Sequence, residues 1–532
     1  MGLLLLSPAT LRTIDVVLAG DAQADTPKPT HKYTTYDDIR GHVSVSAAIP
    51  TAFSSVEISL LGTVRTTHPD HIAPVIAAPG TQHVFLKLTM PLPASAYPAN
   101  DDGSDTHHLT PGQPLKIPFH FVVPAHLLPV ACKHDYETPA IQDAHLQPPP
   151  SLGAFLLPRD DLAPEMASVT YAVHAKLLSA PPCPSKYPQV LASTMRKIHV
   201  TPASPESPPL SAGKDSRYVL SRAKSLRRGV FKGKLGTLTL STMQPRAFRL
   251  PPPPTTLNST AVPPTTLTTL TLRFDPTDAS SIPPRLGALT AKIRATTVHS
   301  IRPSRGIPDE ETRSSPYEIH SGAYSTQVSL TSHEVTPAAA GWTYHDPAPA
   351  YERRDSGYST AEEEGEGEVA VLVGGGKGGG GYYTATIPLP LTLPGNKTWV
   401  PTFHSCLVSR FYTLMIELIV HPGGKSAVPR GLALKVPVQI LGEGRVGNEE
   451  AFEAGGGRLW RVRGRGGRMR GGGMRMWRVL GWRGRGFGDL DLDPVFWVVD
   501  FEFFGEGTEG ANRFCVHCMP LIQSINGNGR LN

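Results

Sequence analysis

The chain has 532 residues, of which 39% are hydrophobic, and its 54 prolines and 51 glycines make up about a fifth of the total. That much proline and glycine excludes a helical bundle and points to β-domains joined by long loops, with some disorder. The formal charge of +6 is local rather than spread over the surface, and five cysteines are too few for a disulfide framework.

At roughly 100–200 residues per domain, the length corresponds to two or three domains. The opening MGLLLLSPATLRT has four consecutive leucines and no basic lead, less than the about 7–15 apolar residues of a secretory h-region. No run approaches the about 18–20 apolar residues of a membrane span. These features lead to the expectation of a cytoplasmic protein with reduced thiols. In that reading Cys132, Cys183 and Cys406 each sit alone.

RTIDVVLAG (12–20) reads as an opening strand, and YTTYDDIRGHVSVSA (33–47) as a turn followed by alternation at Val43 and Val45. FSSVEISLLGTVRT (53–66) places Val56, Ile58 and Leu60 on one face, and HVFLKLTM (83–90) does the same with Val84, Leu86 and Leu88. Strands at 116–124 and 168–178 follow. There Ile117, Phe119 and Phe121, then Val169, Tyr171, Val173 and Ala175, alternate with their neighbours. Period-two alternation marks a strand with one buried face. Short strands separated by Pro, Gly and Asp turns predict an antiparallel sandwich over 12–200.

TPASPESPPLSAG (201–213) is a composition break and a candidate linker. Strand patterns resume at 234–241, 268–274 and 285–297, and again at 399–420 and 432–440. They predict a second sandwich over 214–446. The stretch at about 301–381, which includes DSGYSTAEEEGEGE and GGGKGGGG, reads as a long disordered insertion. After 446 the character changes: residues 455–488 hold ten arginines and no lysine, interleaved with Gly, Trp and Met. This tail, 447–532, reads as disordered low-complexity sequence, as a segment binding single-stranded nucleic acid, or as a G-rich stretch translated out of its proper context. The fold class is therefore all-β, with two tandem immunoglobulin-like antiparallel sandwiches.

No catalytic, cofactor-binding or metal-ligating set emerges. GxSxG, HExxH, Walker A and EF-hand patterns are absent. Gly374–Gly378 lacks the Lys-Ser/Thr ending of a phosphate loop. Cys515 and Cys518 have half-site spacing, but no second pair follows. Asp160 and Asp161 read as turn caps rather than metal ligands, because Asp readily bonds its own following backbone. A basic run offers one candidate site: Arg222, Lys224, Arg227, Arg228, Lys232 and Lys234 could form a patch for phosphates or an anionic lipid surface. The other reading is an edge strand that charge guards against aggregation.

YTTYDDIRGHVSV, SVEISLLG, LKIPFHFVVPAHLLP and ASVTYAVHAKL resemble the N-terminal domain of fungal alpha-arrestins. KSLRRGVFKGKLGTLTL, QPRAFRLPP, PTFHSCLVSRFYTLMIELIV and LKVPVQI resemble the C-terminal domain of the same family. The resemblance spans about 12–446. It implies an arrestin fold and a non-enzymatic adaptor that binds membrane transporter cargo and recruits a HECT-type ubiquitin ligase. Such an adaptor is recruited peripherally to the plasma membrane or endosomes and uses no cofactor. The ligases' WW domains read Pro-Pro-X-Tyr segments, whose prolines preset an extended helix. This sequence has none. Its nearest segment is Pro347-Ala-Pro349-Ala-Tyr351, so Pro349 and Tyr351 are the candidate, degenerate ligase-recruiting residues. A scaffold or coat subunit without ligase recruitment is the alternative, and RNA binding through the tail comes last.

Overall fold

A computed structural model gives the fold and describes residues 12–21, 31–67, 80–97, 106–153, 160–180, 187–207, 218–228, 233–253, 263–307, 320–336, 341–346, 381–423, 428–447, 475–482 and 495–502. The protein is all-β. The first half of the chain contains β1 (Arg12–Leu18), β2 (Lys32–Tyr33), β3 (Asp38–Ala47), β4 (Thr51–Phe53), β5 (Ser55–Thr67), β6 (Gly80–Thr89), β7 (His107–Leu109), β8 (Leu115–Val122), β9 (Ala167–Leu178) and β10 (Val190–Val200). A seven-residue helix, α1 (Pro139–His145), lies between β8 and β9.

The main strands form two sheets, ordered β1-β3-β8 and β2-β10-β9-β5-β6, while β4 pairs only with β7. Alternation explains why the two sheets face each other. Val43, Val45, Ile117 and Phe119 of the smaller sheet and Ile58, Leu60, Val173 and Ala175 of the larger one are all buried in one apolar core. Burying a side chain of this size stabilises by about 1.5–3 kcal/mol. One close approach within the smaller sheet requires glycine: a Cβ on Gly41 would lie 2.2 Å from the Val17 carbonyl oxygen and 2.8 Å from Phe119 Cζ.

The second half contains β11 (Ser221–Arg227), β12 (Lys234–Thr242), β13 (Phe248–Leu250), β14 (Thr265–Pro276), β15 (Arg285–Ser300), β16 (Ser321–Glu334), β17 (Thr343–His345), β18 (Tyr382–Thr392), β19 (Phe403–His404), β20 (Val408–His421), β21 (Arg430–Val438) and β22 (Ile440–Gly442). One sheet is ordered β11-β12-β14-β18-β17. The other is ordered β16-β15-β20-β19, with β21 also on β20. Leu238, Leu240, Leu270, Leu272 and Phe274 meet Ile293, Leu414, Ile416 and Leu434 in a second apolar core. Among the described residues, β2 pairs with β10 and β13 with β22 in parallel, and the other strand pairs are antiparallel.

Three expectations are corrected. The stretch 301–381 is not one continuous disordered insertion, because β16 pairs with β15 from Ser300↔Ser321 to Ala288↔Glu334 and β17 pairs with β18. As the outermost strand of its sheet, β16 needs few apolar residues, so its serines and threonines hide it from a composition argument. The tail is not wholly without structure either: β23 (Arg475–Trp482) and β24 (Val495–Glu502) pair antiparallel within a separate unit, 444–532. The β-branched and aromatic residues of these two runs favour strand. Finally, 399–420 is not one strand. Residues 405–407 turn the chain between β19 and β20, where the Ser405 amide donates to the Val408 carbonyl at 2.9 Å.

The first part of the candidate linker lies against the sheets. The Ser204 amide donates to the Gly442 carbonyl (3.1 Å), and the Ala203 amide donates to Thr35 Oγ1 (2.9 Å). Residues 208–213 lie outside the described residues. Among the described residues, no helix is long and apolar enough to cross a membrane.

Candidate functional site at the junction of the two sheet pairs

The two halves exchange residues where they meet. Val400, Phe403, Cys406, Leu407 and Val408, from the second half, are buried in the core of the first. In return, Leu162 from the first half is buried in the core of the second. Backbone and side-chain bonds fix both insertions. Tyr412, itself fully enclosed, donates its hydroxyl to the Val400 carbonyl at 2.6 Å. Arg410, with no exposed surface, donates from Nη2 to the Leu162 carbonyl at 2.9 Å.

Local chemistry shapes the turn that carries Leu162. Asp160 Oδ1 accepts from the Leu162 amide (2.7 Å), while Asp161 accepts from the Ala163 amide (3.1 Å) and the Gly153 amide (2.6 Å). Both aspartates therefore cap their own turn, as Asp side chains readily do. Leu162 takes a left-handed φ of 60° there. Lys397 reaches across from the second half to Asp160 Oδ2 at 2.8 Å. That hydrogen bond is the main cause holding the Asp160 carboxyl below its ordinary pKa.

A group of sulfur and nitrogen atoms lies in the same junction. After β8 the chain makes a short turn at Pro129–Ala131, runs through Cys132 and His134, and enters α1, whose last residue is His145. The Leu127 amide donates to the Leu146 carbonyl at 2.7 Å, which closes this excursion into a compact loop. Cys406 sits in the turn between β19 and β20. There Ser405 Oγ donates to the Val408 carbonyl (2.7 Å), and the Cys406 carbonyl accepts from the Ser304 amide (2.8 Å). Cys132, His134, His145 and Cys406 bring one ligand atom each to within 4.8 Å of one another. Cys132 Sγ is 3.3 Å from His134 Nε2 and 3.7 Å from His145 Nδ1.

Cys132, His145 and Cys406 are buried and His134 is half-buried. Burial pushes the Cys406 thiol up to about 12, with Cys132 adding to the effect, and raises the Cys132 thiol as well. Burial also pushes His145 down to about 4, helped by the neighbouring His134, so its imidazole is neutral near pH 7. The adjacent cavity, lined by Val64, Phe85, Leu127, His145, Cys406 and others, has a volume of ≈ 10 Å³. Small-molecule sites are about 300–1,000 Å³, so this cavity does not admit an organic substrate.

Cys132 and Cys406, expected to sit alone, therefore lie side by side. The Cys-X-His spacing of 132–134 was a partial signal in the sequence. No spacing rule connects it to Cys406, which arrives from a different sheet pair.

The described members of the basic run have different surroundings. Arg222, Arg227 and Lys234 are exposed, whereas Lys224 Nζ donates to the Gly431 carbonyl at 3.0 Å. Arg228 donates to Asp278 Oδ2 at 2.7 Å and to Ser281 Oγ at 2.8 Å. β11 is the outermost strand of its sheet. Just before β11, Val219 bridges to Lys435 of β21. Lys232, Pro349, Tyr351, Cys183, Cys515, Cys518 and the glycine run at 374–378 lie outside the described residues.

No protein-family model and no curated protein matches the chain.

Proposed function

We propose that the chain is a non-enzymatic adaptor built on two tandem arrestin-like β-sandwiches. It links membrane transporter cargo to ubiquitin-dependent endocytosis through a HECT-type ligase, acting in the cytoplasm and recruited peripherally to membranes. One observation carries this reading. Two sheet pairs, each with its own apolar core, are locked by reciprocal insertion of Leu162 and the 400–408 segment. Such an arrangement offers sheet faces and loops to protein partners. The sequence adds the strand series that resembles fungal alpha-arrestins and contains no recognised catalytic motif.

The test is deletion of the gene in its own host, followed by transporter ubiquitination and uptake, with the full chain restored in trans. Loss of both on deletion and their return with the full chain is expected. Unchanged cargo ubiquitination sinks the ligase link. Binding of isolated WW domains, and its loss in Pro349→Ala/Tyr351→Ala, reports whether recruitment is direct. A second reading, an arrestin-fold scaffold in sorting without a ligase, is favoured by the lack of a Pro-Pro-X-Tyr segment in the sequence. A stoichiometric partner that copurifies, with cargo ubiquitination unaffected by deletion, selects it. RNA binding through 455–488 predicts crosslinked RNA that disappears when the tail is removed.

A further inference from the structure

We propose that Cys132, His134, His145 and Cys406 bind one zinc ion, which clamps the N-terminal sheet pair to the C-terminal one. Distances carry the argument first. A tetrahedral site with Zn–S of about 2.3 Å and Zn–N of about 2.0–2.1 Å places its sulfur and nitrogen ligands about 3.6 Å apart and its two sulfurs about 3.8 Å apart. The two Cys132 contacts, 3.3 Å to His134 Nε2 and 3.7 Å to His145 Nδ1, already bracket that value. All four ligand atoms lie within 4.8 Å of one another, so closing around an ion requires contraction of about 1.5 Å at most.

The donor set selects the metal. Two thiols and two imidazoles with no carboxylate suit zinc and exclude the oxygen-seeking calcium and magnesium. Four protein ligands complete the tetrahedron and leave no open position, which is the pattern of a structural rather than a catalytic site.

The surroundings orient the ligands. His134 Nδ1 donates to the Asp135 carbonyl at 2.8 Å. That bond fixes the tautomer and turns the Nε2 lone pair towards Cys132, the arrangement by which an outer hydrogen bond steers a metal-binding histidine. His145 is 2% exposed, its Nδ1 faces Cys132, and its Nε2 has no hydrogen-bond partner. The Ala131 carbonyl accepts from His83 Nε2 at 3.0 Å, which anchors the residue before Cys132. The Ser405–Val408 turn anchors Cys406.

Charge balances as well. On binding, each thiol releases its proton to solvent, and Zn²⁺ with two thiolates and two neutral imidazoles is electrically neutral overall. A buried location tolerates that far better than an isolated charge. No oxidant or reductant takes part. The site rests on this geometry alone and stands whether or not the adaptor reading holds.

Elemental analysis of the full chain tests it, with the protein purified under reducing conditions without added metal and passed over a chelating resin. The expected result is about one zinc per chain. It should be lost in Cys132→Ser and in Cys406→Ser, and retained in Cys183→Ser and in Cys515→Ser/Cys518→Ser. A measurement on the unsubstituted chain guards against variants that fail to fold. Cobalt(II) exchange should give a thiolate-to-cobalt charge-transfer band and the strong visible absorption of a tetrahedral site. Chelating the ion from the folded protein should lower its melting midpoint. Three results overturn the proposal: no zinc with no cobalt spectrum, zinc that follows only the tail cysteines, or a Cys132–Cys406 disulfide found in the protein as purified from cytosol under thiol-trapping conditions.

Discussion

Tyr412→Phe removes one hydroxyl from the lock between the two sheet pairs. Tyr412 is 2% exposed, and its hydroxyl donates to the Val400 carbonyl at 2.6 Å, at the start of the segment that enters the N-terminal core. Phenylalanine keeps the ring and its packing against Trp399, whose centroid lies 6.2 Å away. No cavity opens, so the effect is the loss of the hydroxyl's polar contacts: the Val400 carbonyl loses this donor, and the buried Arg410 guanidinium loses an oxygen beside it; a buried polar group left unsatisfied costs about 1–3 kcal/mol. For a domain of 150–250 residues each kcal/mol moves the melting midpoint by about 2–4 °C, so calorimetry should record a fall of about 2–12 °C. Tyr171→Phe is the internal comparison. It removes the corresponding buried bond to the Pro149 carbonyl, 2.7 Å long, inside the N-terminal pair. Tyr412→Ala adds a cavity and should cost more, because removing a large aromatic from a core costs about 3–5 kcal/mol. An unchanged midpoint in Tyr412→Phe, or a loss as large as that of Tyr412→Ala, refutes the assignment of this hydroxyl to the lock.

Gly41→Ala should destabilise the N-terminal pair by about 1–3 kcal/mol in urea unfolding, because the new Cβ meets the Val17 carbonyl 2.2 Å away and backbone cannot rotate aside. Burial, with Lys32 nearby, lowers His199 to about 4. The folded state therefore takes up its proton after the unfolded chain does; the stability is complete above about pH 6.5 and is lost as pH falls towards 4, by at most about 3 kcal/mol. His199→Gln should remove that share of the acid slope, and an identical slope refutes it. Arg222→Glu/Arg227→Glu should leave vesicle sedimentation with anionic lipid unchanged while altering light scattering on concentration. A collapse of vesicle binding restores the lipid-patch reading.

Strands that alternate cleanly were legible in the sequence. At 168–178 the residues predicted to face inward, Val169, Tyr171, Val173 and Ala175, are all buried. β18 was not legible, although its burial alternates from Ala385 to Leu391, because Pro388 and Pro390 break the apparent strand pattern. β17 pairs β18 only at Tyr382–Thr384, so these prolines occupy the part of β18 that β17 leaves uncovered, where a missing N–H is tolerated. The turn chemistry of Asp160 and Asp161 was readable because it is local. The sulfur and nitrogen cluster was not, since its fourth member reaches the other three only through the packing of one sheet pair against another.

That packing has a consequence for how the protein can be divided. A fragment ending at Ser207 retains β1 to β10 but loses Val400, Phe403, Leu407 and Val408 from its own core. At about 1.5–3 kcal/mol for each buried large side chain, the deficit is about 6–12 kcal/mol. A whole domain has a net stability of only about 5–15 kcal/mol. Residues 1–207 should therefore fail to give a cooperative unfolding transition and should bind a hydrophobic dye. Adding a peptide covering 398–410 should partly restore the transition, because it returns the missing apolar surface. If the fragment melts cooperatively at the midpoint of the full chain, the inserted segment is a passive cover and the two halves are independent domains. If it does not, the exchange at 162 and 400–408 makes the two sheet pairs a single folding unit.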